Sequence, residues 1–210
     1  MFTGIVQGVC GVVSVKQNTN LIAFAVDLGS ELSEGLKTGA SVSVDGVCLT
    51  VTQIDGHCAG FDAIQETLDR TTLAGLARGR QVNIERSASA ADEVGGHRVS
   101  GHIHGTARIR NARQRENERI WELDAPPEWM NYIFPKGFIA LDGASLTVVD
   151  VDREDCAFTV HLIPETLRKT TFASKREGDR VNLEIDAQTQ AVVDTVERIM
   201  AERYGAASGR

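Results

Sequence analysis

The chain has 210 residues, 42% apolar and 24% charged, with a net charge of −7. That length fits one large domain or two of about 100 residues, and the balance is that of a globular protein with a real core, which excludes wholesale disorder. The acidic balance, with no run of Lys or Arg, argues against nucleic acid or an anionic membrane surface as the main partner.

From the N-terminus, Met1, Phe2, Thr3, Gly4, Ile5 and Val6 lack the basic segment and apolar core of a signal peptide. No later stretch approaches the ~18 apolar residues of a membrane span. Short runs rich in Val, Ile and Phe follow at 5–15, 21–28, 41–44, 48–54, 57–64 and 81–86, separated by turn signals such as Asp45-Gly46 and Asp55-Gly56. About six strands in under 100 residues predict a small closed β-barrel, because closure removes exposed edges. Ser30 is placed to cap a short helix over 31–36.

The second half repeats the first. Val44-Asp45-Gly46-Val47-Cys48-Leu49-Thr50-Val51 recurs as Leu141-Asp142-Gly143-Ala144-Ser145-Leu146-Thr147-Val148, and Val82-Asn83-Ile84-Glu85 as Val181-Asn182-Leu183-Glu184. Glu66-Thr67-Leu68 returns as Glu165-Thr166-Leu167, and Gly4-Ile5-Val6 aligns with Gly101-His102-Ile103. The offset, about 97 to about 99 residues, is that of a duplicated domain, since solenoid repeats run about 20–50. In this half Pro127 opens a helical candidate over 128–133. From 188 to 203, Val192, Val193, Val196, Ile199 and Met200 form one apolar stripe at helical spacing. It packs either on its own barrel or on the same helix of another subunit.

The cysteines Cys10, Cys48, Cys58 and Cys156 form no CxxC pair, which suits free thiols in the cytosol. Cys48 reads either as a small buried hydrophobe or as a reactive group. Its repeat partner is Ser145, so a duplicated fold here carries two similar pockets with different groups. Thr50 and Thr147 recur at one offset; Asp62 and His161 each precede Glu66 and Glu165 by the same interval. Together these point to a repeated polar pocket, although Thr alone is simply a good strand former. His97, His102 and His104 cluster, and on a strand His102 and His104 would share a face fit for a metal pair. No third ligand is well spaced, so no metal is expected. No phosphate-binding glycine loop, dinucleotide fingerprint, nucleophile elbow or HExxH is present. The expected ligand is an uncharged or weakly charged ring compound.

The opening Met1 to Val6, Gly46-Val47-Cys48-Leu49-Thr50-Val51, Gly95-Gly96-His97 with Ser100-Gly101-His102, Lys136-Gly137-Phe138-Ile139, Ser145-Leu146-Thr147-Val148, His161-Leu162-Ile163-Pro164-Glu165-Thr166 and Asp186-Ala187-Gln188-Thr189 resemble riboflavin synthase of the alpha-chain type. The resemblance runs from Met1 to about Arg203 and includes the duplication. It implies an all-β chain of two tandem six-stranded antiparallel barrels, 1–97 and 98–187, with a C-terminal oligomerisation helix and tail over 188–210. It further implies a cytoplasmic homotrimer, association with lumazine synthase, and no cofactor. The implied reaction is the dismutation of two 6,7-dimethyl-8-ribityllumazines into riboflavin and 5-amino-6-ribitylamino-2,4(1H,3H)-pyrimidinedione. The active site would lie between the N-terminal barrel of one subunit and the C-terminal barrel of its neighbour.

In that family the C7 methyl of the lumazine is acidic, and His102 is the candidate for removing its proton. Cys48 or Ser41, or a water they hold, would add to the partner ring. Ser145, Thr147 and Asp142 would orient the other lumazine or stabilise charge in it. Main-chain groups of Gly4, Ile5 and Val6, and of Gly101, His102 and Ile103, would bind ring edges together with Thr50 and Thr147. Asp62 and Glu66, with His161 and Glu165, would reach the ribityl hydroxyls, and Leu49, Ala63, Ile64, Gln65, Thr67, Leu146, Leu162, Ile163, Pro164 and Thr166 would be further substrate-binding residues. Phe2 would cover a ring face, while Lys136 and Asp186 match functional positions of unassigned role. The alternative is a non-catalytic lumazine or flavin antenna. A flavin-dependent reductase is disfavoured by the missing dinucleotide fingerprint.

Overall fold

The structure is a computed structural model that describes residues 1–89, 91 and 93–204. The first barrel is built from β1 (Gly8–Asn18), β2 (Leu21–Asp27), β3 (Ser41–Val44), β4 (Val47–Asp55), β5 (Cys58–Ile64) and β6 (Gln81–Arg86). All pairs are antiparallel, in the order β1-β2-β5-β4-β3-β6, and β6 closes back onto β1. Alternation does the work: along β2, Ile22, Phe24 and Val26 are buried while their neighbours are partly exposed. They meet Val42, Val44, Val51, Phe61 and Ile84 in one core.

The second barrel repeats this with β7 (Gly105–Gln114), β8 (Arg119–Asp124), β9 (Phe138–Leu141), β10 (Ala144–Asp152), β11 (Ala157–Leu162) and β12 (Arg180–Ile185). Its core centres on Ile109, Trp121, Leu123, Phe158 and Phe172. Both barrels shift register at equivalent places, Val12/Ser14 and Val51/Gln53 in one, Ile109/Asn111 and Val148/Asp150 in the other. Such bulges add the local twist that lets a short sheet curl shut.

Between the strands lie α1 (Gly29–Ser33), α2 (Gln65–Arg70) and α3 (Pro164–Lys169). The helix expected over 31–36 is α1 instead. Ser30 lies inside it, and Asp27 Oδ1 accepts the Gly29 N–H at 3.0 Å. Pro127 does open a helical turn, Pro127–Tyr132, of 3-10 type. The strand expected from Ile5 begins only at Gly8, because the residues before it cross to the other barrel. Helices α2 and α3 were not foreseen: six residues are too few to display a period.

The C-terminal helix is α4 (Ala187–Tyr204). Asp186 caps it, its Oδ2 accepting the Thr189 N–H at 2.9 Å and hydroxyl at 2.7 Å. Polar contacts hold it to its own barrel: Tyr132 donates to Asp194 at 2.6 Å, Asn131 to Glu197 at 3.0 Å, and His104 meets Gln190 at 3.1 Å. Val192, Val196, Ile199 and Met200 stay exposed, so the chain does not cover its own apolar stripe. The tail beyond 204 lies outside the described residues.

The barrels meet across a pseudo-two-fold seam. Asp45-Gly46 and Asp142-Gly143 are the β3–β4 and β9–β10 hairpin turns, with φ of 46° and 84°, and 40° and 84°. Two successive positive values define the type I′ turn, which favours Asp-Gly. The turns touch back to back: a Cβ on Gly46 would sit 2.6 Å from Gly143 N. Asn83 Nδ2 donates to the Asp142 carbonyl at 3.0 Å and Asn182 Nδ2 to the Asp45 carbonyl at 2.7 Å. Their side-chain oxygens accept the N–H groups of Thr171 and Thr72. The buried carboxylates pair with cations, Asp45 with Arg80 at 3.1 Å and Asp142 with Lys175 at 2.8 Å. Burial and the nearby Asp142 push the Asp45 carboxyl up to about 7, against the pull of Arg80 and Lys175.

Candidate active site

Each barrel's leading segment is laid across the other barrel. Glu85, buried in β6, accepts Thr3 N–H at 2.6 Å, the Thr3 hydroxyl at 2.8 Å and Gly4 N–H at 3.1 Å. Glu184, its counterpart in β12, holds Ser100 and Gly101 the same way at 2.7–2.9 Å. So anchored, Gly4 O accepts the Ser145 N–H at 2.8 Å, and Gly101 O accepts the Cys48 N–H at 2.9 Å. Val6 joins the core of the second barrel, and Ile103 packs against the core of the first. The exchange lays residues of one repeat beside Ser145 in the second barrel and residues of the other beside Cys48 in the first.

The groove on the second barrel encloses about 620 Å³, within the range of small-molecule sites. Gly4, Ile5 and Val6 form one wall; Ser145, Glu165, Thr166 and Lys169 form the other; Glu31, Leu32 and Arg86 reach in from the first barrel. Six of the expected binding residues therefore come together here. Arg168 forms an ion pair with Glu165 and holds its carboxyl below the ordinary range. His161 on β11 meets Glu118 at 2.7 Å through Nδ1, fixing the imidazole beside Leu162.

On the first barrel the counterparts are Cys48, Leu49 and Thr50 on β4, Asp62, Ala63 and Ile64 closing β5, and Gln65, Glu66 and Thr67 opening α2, with Gly101, His102 and Ile103 alongside Cys48. Ser41 lies opposite Thr50 in the β3–β4 ladder. Ile64 and Ile163 are equivalent and stand 56% and 58% exposed. Thr50, Thr147 and His102 are also exposed. All four cysteines are free; burial pushes the Cys10 thiol up to about 11, which disfavours it as a nucleophile, while Cys48 is half-buried beside the Gly101 backbone.

Some expected residues stand elsewhere. Phe2 is 1% exposed and packs with Val99, Ala140 and Cys48, so it presents no face to a ligand in this chain. Asp142 is fully buried in the seam turn, where it accepts the Asn182 N–H and pairs with Lys175; its role is structural. Asp186 caps α4. Lys136 occupies the turn before β9 with φ 69°, its side chain exposed. His102 and His104 do not share a strand face: both precede β7, and His104 is engaged by Gln190 and the Ile185 N–H. Among the described residues no three metal-binding side chains converge.

Sequence reasoning gave no site role to His97, which is 7% exposed and whose Nδ1 lies 2.6 Å from Ser145 Oγ. It also gave none to Glu85, Glu184, Asn83 and Asn182. Their signal was present, since buried strands that repeat Asn and Glu at one offset must be satisfying those groups.

The Lumazine binding domain family matches residues 3–87 and 100–186, once per barrel. The chain is 51% identical over 207 residues to riboflavin synthase of Escherichia coli (strain K12), covering 98% of this chain and 96% of the other. It is 44% identical over 201 residues to that of Chlamydia pneumoniae, covering 96% and 98%. Among solved structures, LumP complexed with 6,7-dimethyl-8-(1'-D-ribityl) lumazine superposes with a TM-score of 0.79 at 24% identity, over 88% of this chain and 99% of that one; LumP complexed with riboflavin gives 0.81. That likeness establishes the fold. With the duplicated domain, the exchanged segments and identity of this level over nearly the whole chain, the chain belongs to the riboflavin synthase family.

Proposed function

We propose that this protein makes riboflavin by dismutating two 6,7-dimethyl-8-ribityllumazine molecules. The observation that carries the reading is the pair of exchanged segments, each bonded to the equivalent strand of the other barrel, at Cys48 in one and at Ser145 in the other. One reaction needs two copies of one ring in two different roles. A four-carbon unit leaves one lumazine and joins the other, so the partners oxidise and reduce each other and no external redox partner is required. The second product is 5-amino-6-ribitylamino-2,4(1H,3H)-pyrimidinedione.

The exposed His102 imidazole removes a proton from the C7 methyl, whose anion spreads into the ring. Cys48, Ser41 or a water between them adds to the partner ring and primes it for attack. Thr50 and Thr147, with the Gly4–Val6 and Gly101–Ile103 main chain, hold ring edges; the carboxylates of Asp62, Glu66 and Glu165 and the imidazole of His161 reach the ribityl chain. Stacking two rings in register supplies much of the rate.

Three copies assemble through the exposed stripe of α4, bringing the first-barrel groove of one subunit to the second-barrel groove of its neighbour. The working divisions are 1–97, 98–187 and 188–210, and the enzyme acts in the cytoplasm, where association with lumazine synthase would deliver substrate. Mixing purified protein with the lumazine tests the reading. Riboflavin fluorescence without added cofactor supports it, whereas tight binding without turnover would identify an antenna.

A further inference from the structure

The two grooves differ at the group beside their first ring-facing residue. Cys48 carries no side-chain hydrogen bond among the described residues; the Gly101 backbone and the Phe2, Val99 and Ala140 cluster lie against it. Ser145 instead meets His97 Nδ1 at 2.6 Å. The connector between the barrels presses His97 into place. A Cβ on Gly96 would fall 2.4 Å from Thr3 O and 2.7 Å from Ser145 Cβ, so the backbone there admits no side chain. Phe138 stacks on the imidazole at 5.0 Å and 14°. His97 is thereby 7% exposed, and its Nε2 is buried without a partner.

Burial lowers the His97 pKa, Asp186 opposing, so the ring is neutral near pH 7 and carries one N–H. Two arrangements satisfy the short contact. If Nδ1 accepts from Ser145, the N–H sits on Nε2, a buried donor with no acceptor. If Nδ1 donates, Nε2 keeps only a bare lone pair. Orphaned donors are rarer in proteins than under-satisfied acceptors, and leaving one costs about 1–3 kcal/mol. The second arrangement prevails, and the serine oxygen then retains its own hydrogen to give away.

We propose that His97 is a positioning residue for the second-barrel groove, donating Nδ1–H to Ser145 Oγ so that the Ser145 hydroxyl offers its hydrogen to an acceptor atom of the ring bound there. The inference rests on the function proposed above. The acceptor is a carbonyl oxygen or an imine-type ring nitrogen. A fixed neutral donor helps most where negative charge grows, so this groove holds the lumazine whose ring becomes anionic. The Cys48 groove lacks such a donor and takes the other ring.

Selective ¹⁵N labelling of histidine tests the tautomer on the intact protein. His97 is expected to show a protonated Nδ1 and a pyridine-like Nε2; a protonated Nε2, or an imidazolium at pH 7, would overturn the proposal. Kinetics test the role. His97→Leu and Ser145→Ala should each lower kcat at least about tenfold, and the double variant should be no slower than the worse single one. His97→Asn, which restores a donor near Nδ1, should recover most of the loss. Losses that multiply, or no recovery by Asn in a folded variant, would defeat the inference. A wild-type protein that makes no riboflavin would instead defeat the functional reading, while the nitrogen spectrum would still decide this one.

Discussion

Asn83 and Asn182 trade hydrogen bonds across the seam, each side-chain amide donating to the carbonyl of the other barrel's turn aspartate, at 3.0 and 2.7 Å. Each also accepts a backbone N–H from the far barrel. Asn83→Ala would strand the Asp142 carbonyl and the Thr171 N–H in a dry interface. At about 1–3 kcal/mol for each unsatisfied group, the variant should lose about 3 kcal/mol of unfolding free energy. Urea titration measures this, and a loss below about 1 kcal/mol would mean that water fills the seam freely.

The Asp45 carboxyl gives the seam a pH dependence of definite sign. Its folded pKa of about 7 lies above the unfolded value near 4. The folded state thus binds the extra proton, so this group's contribution is complete below about pH 4 and is lost as pH climbs toward 7. Asp45→Asn should therefore narrow the stability difference between pH 5 and pH 8. Denaturation at both pH values, on both proteins, reads it directly; equal slopes would place the titration elsewhere.

His102 is exposed and forms no side-chain bond among the described residues, so removing it should spare the fold. His102→Ala is expected to slow riboflavin formation by about a hundredfold, with unfolding free energy within ~0.5 kcal/mol of the parent. Cys48→Ala should act in the same direction. Wild-type rates in both folded variants would strip these residues of their roles.

Ending the chain after Asp186 removes α4 and with it Val192, Val196, Ile199 and Met200. Light scattering should then report a mass near that of a single chain, with turnover lost. An unchanged oligomer would show that the barrels themselves associate.

The barrels were legible because alternation and Asp-Gly turns are local signals, and the duplication let each half corroborate the other. Long-range partners were not. Asp142 entered the expected site through the resemblance alone; only the fold shows that its side chain turns to Lys175 and the seam. Phe2 belonged to a segment that does form a groove wall, yet its own ring is spent on Val99 and Ala140. His97 was visible as one of three clustered histidines, but nothing local distinguishes the one that will be buried beside Ser145, 48 positions away.

The swapped leading strips have an evolutionary corollary. Since Val6 completes a core that its own repeat does not own, and Gly46 leaves room only for Gly143, neither copy can drift alone at these positions. Drift is cheap where side chains meet water, at the mouths of the two cradles. A doubled gene constrained in this manner specialises at its openings while its hinge line stays symmetric.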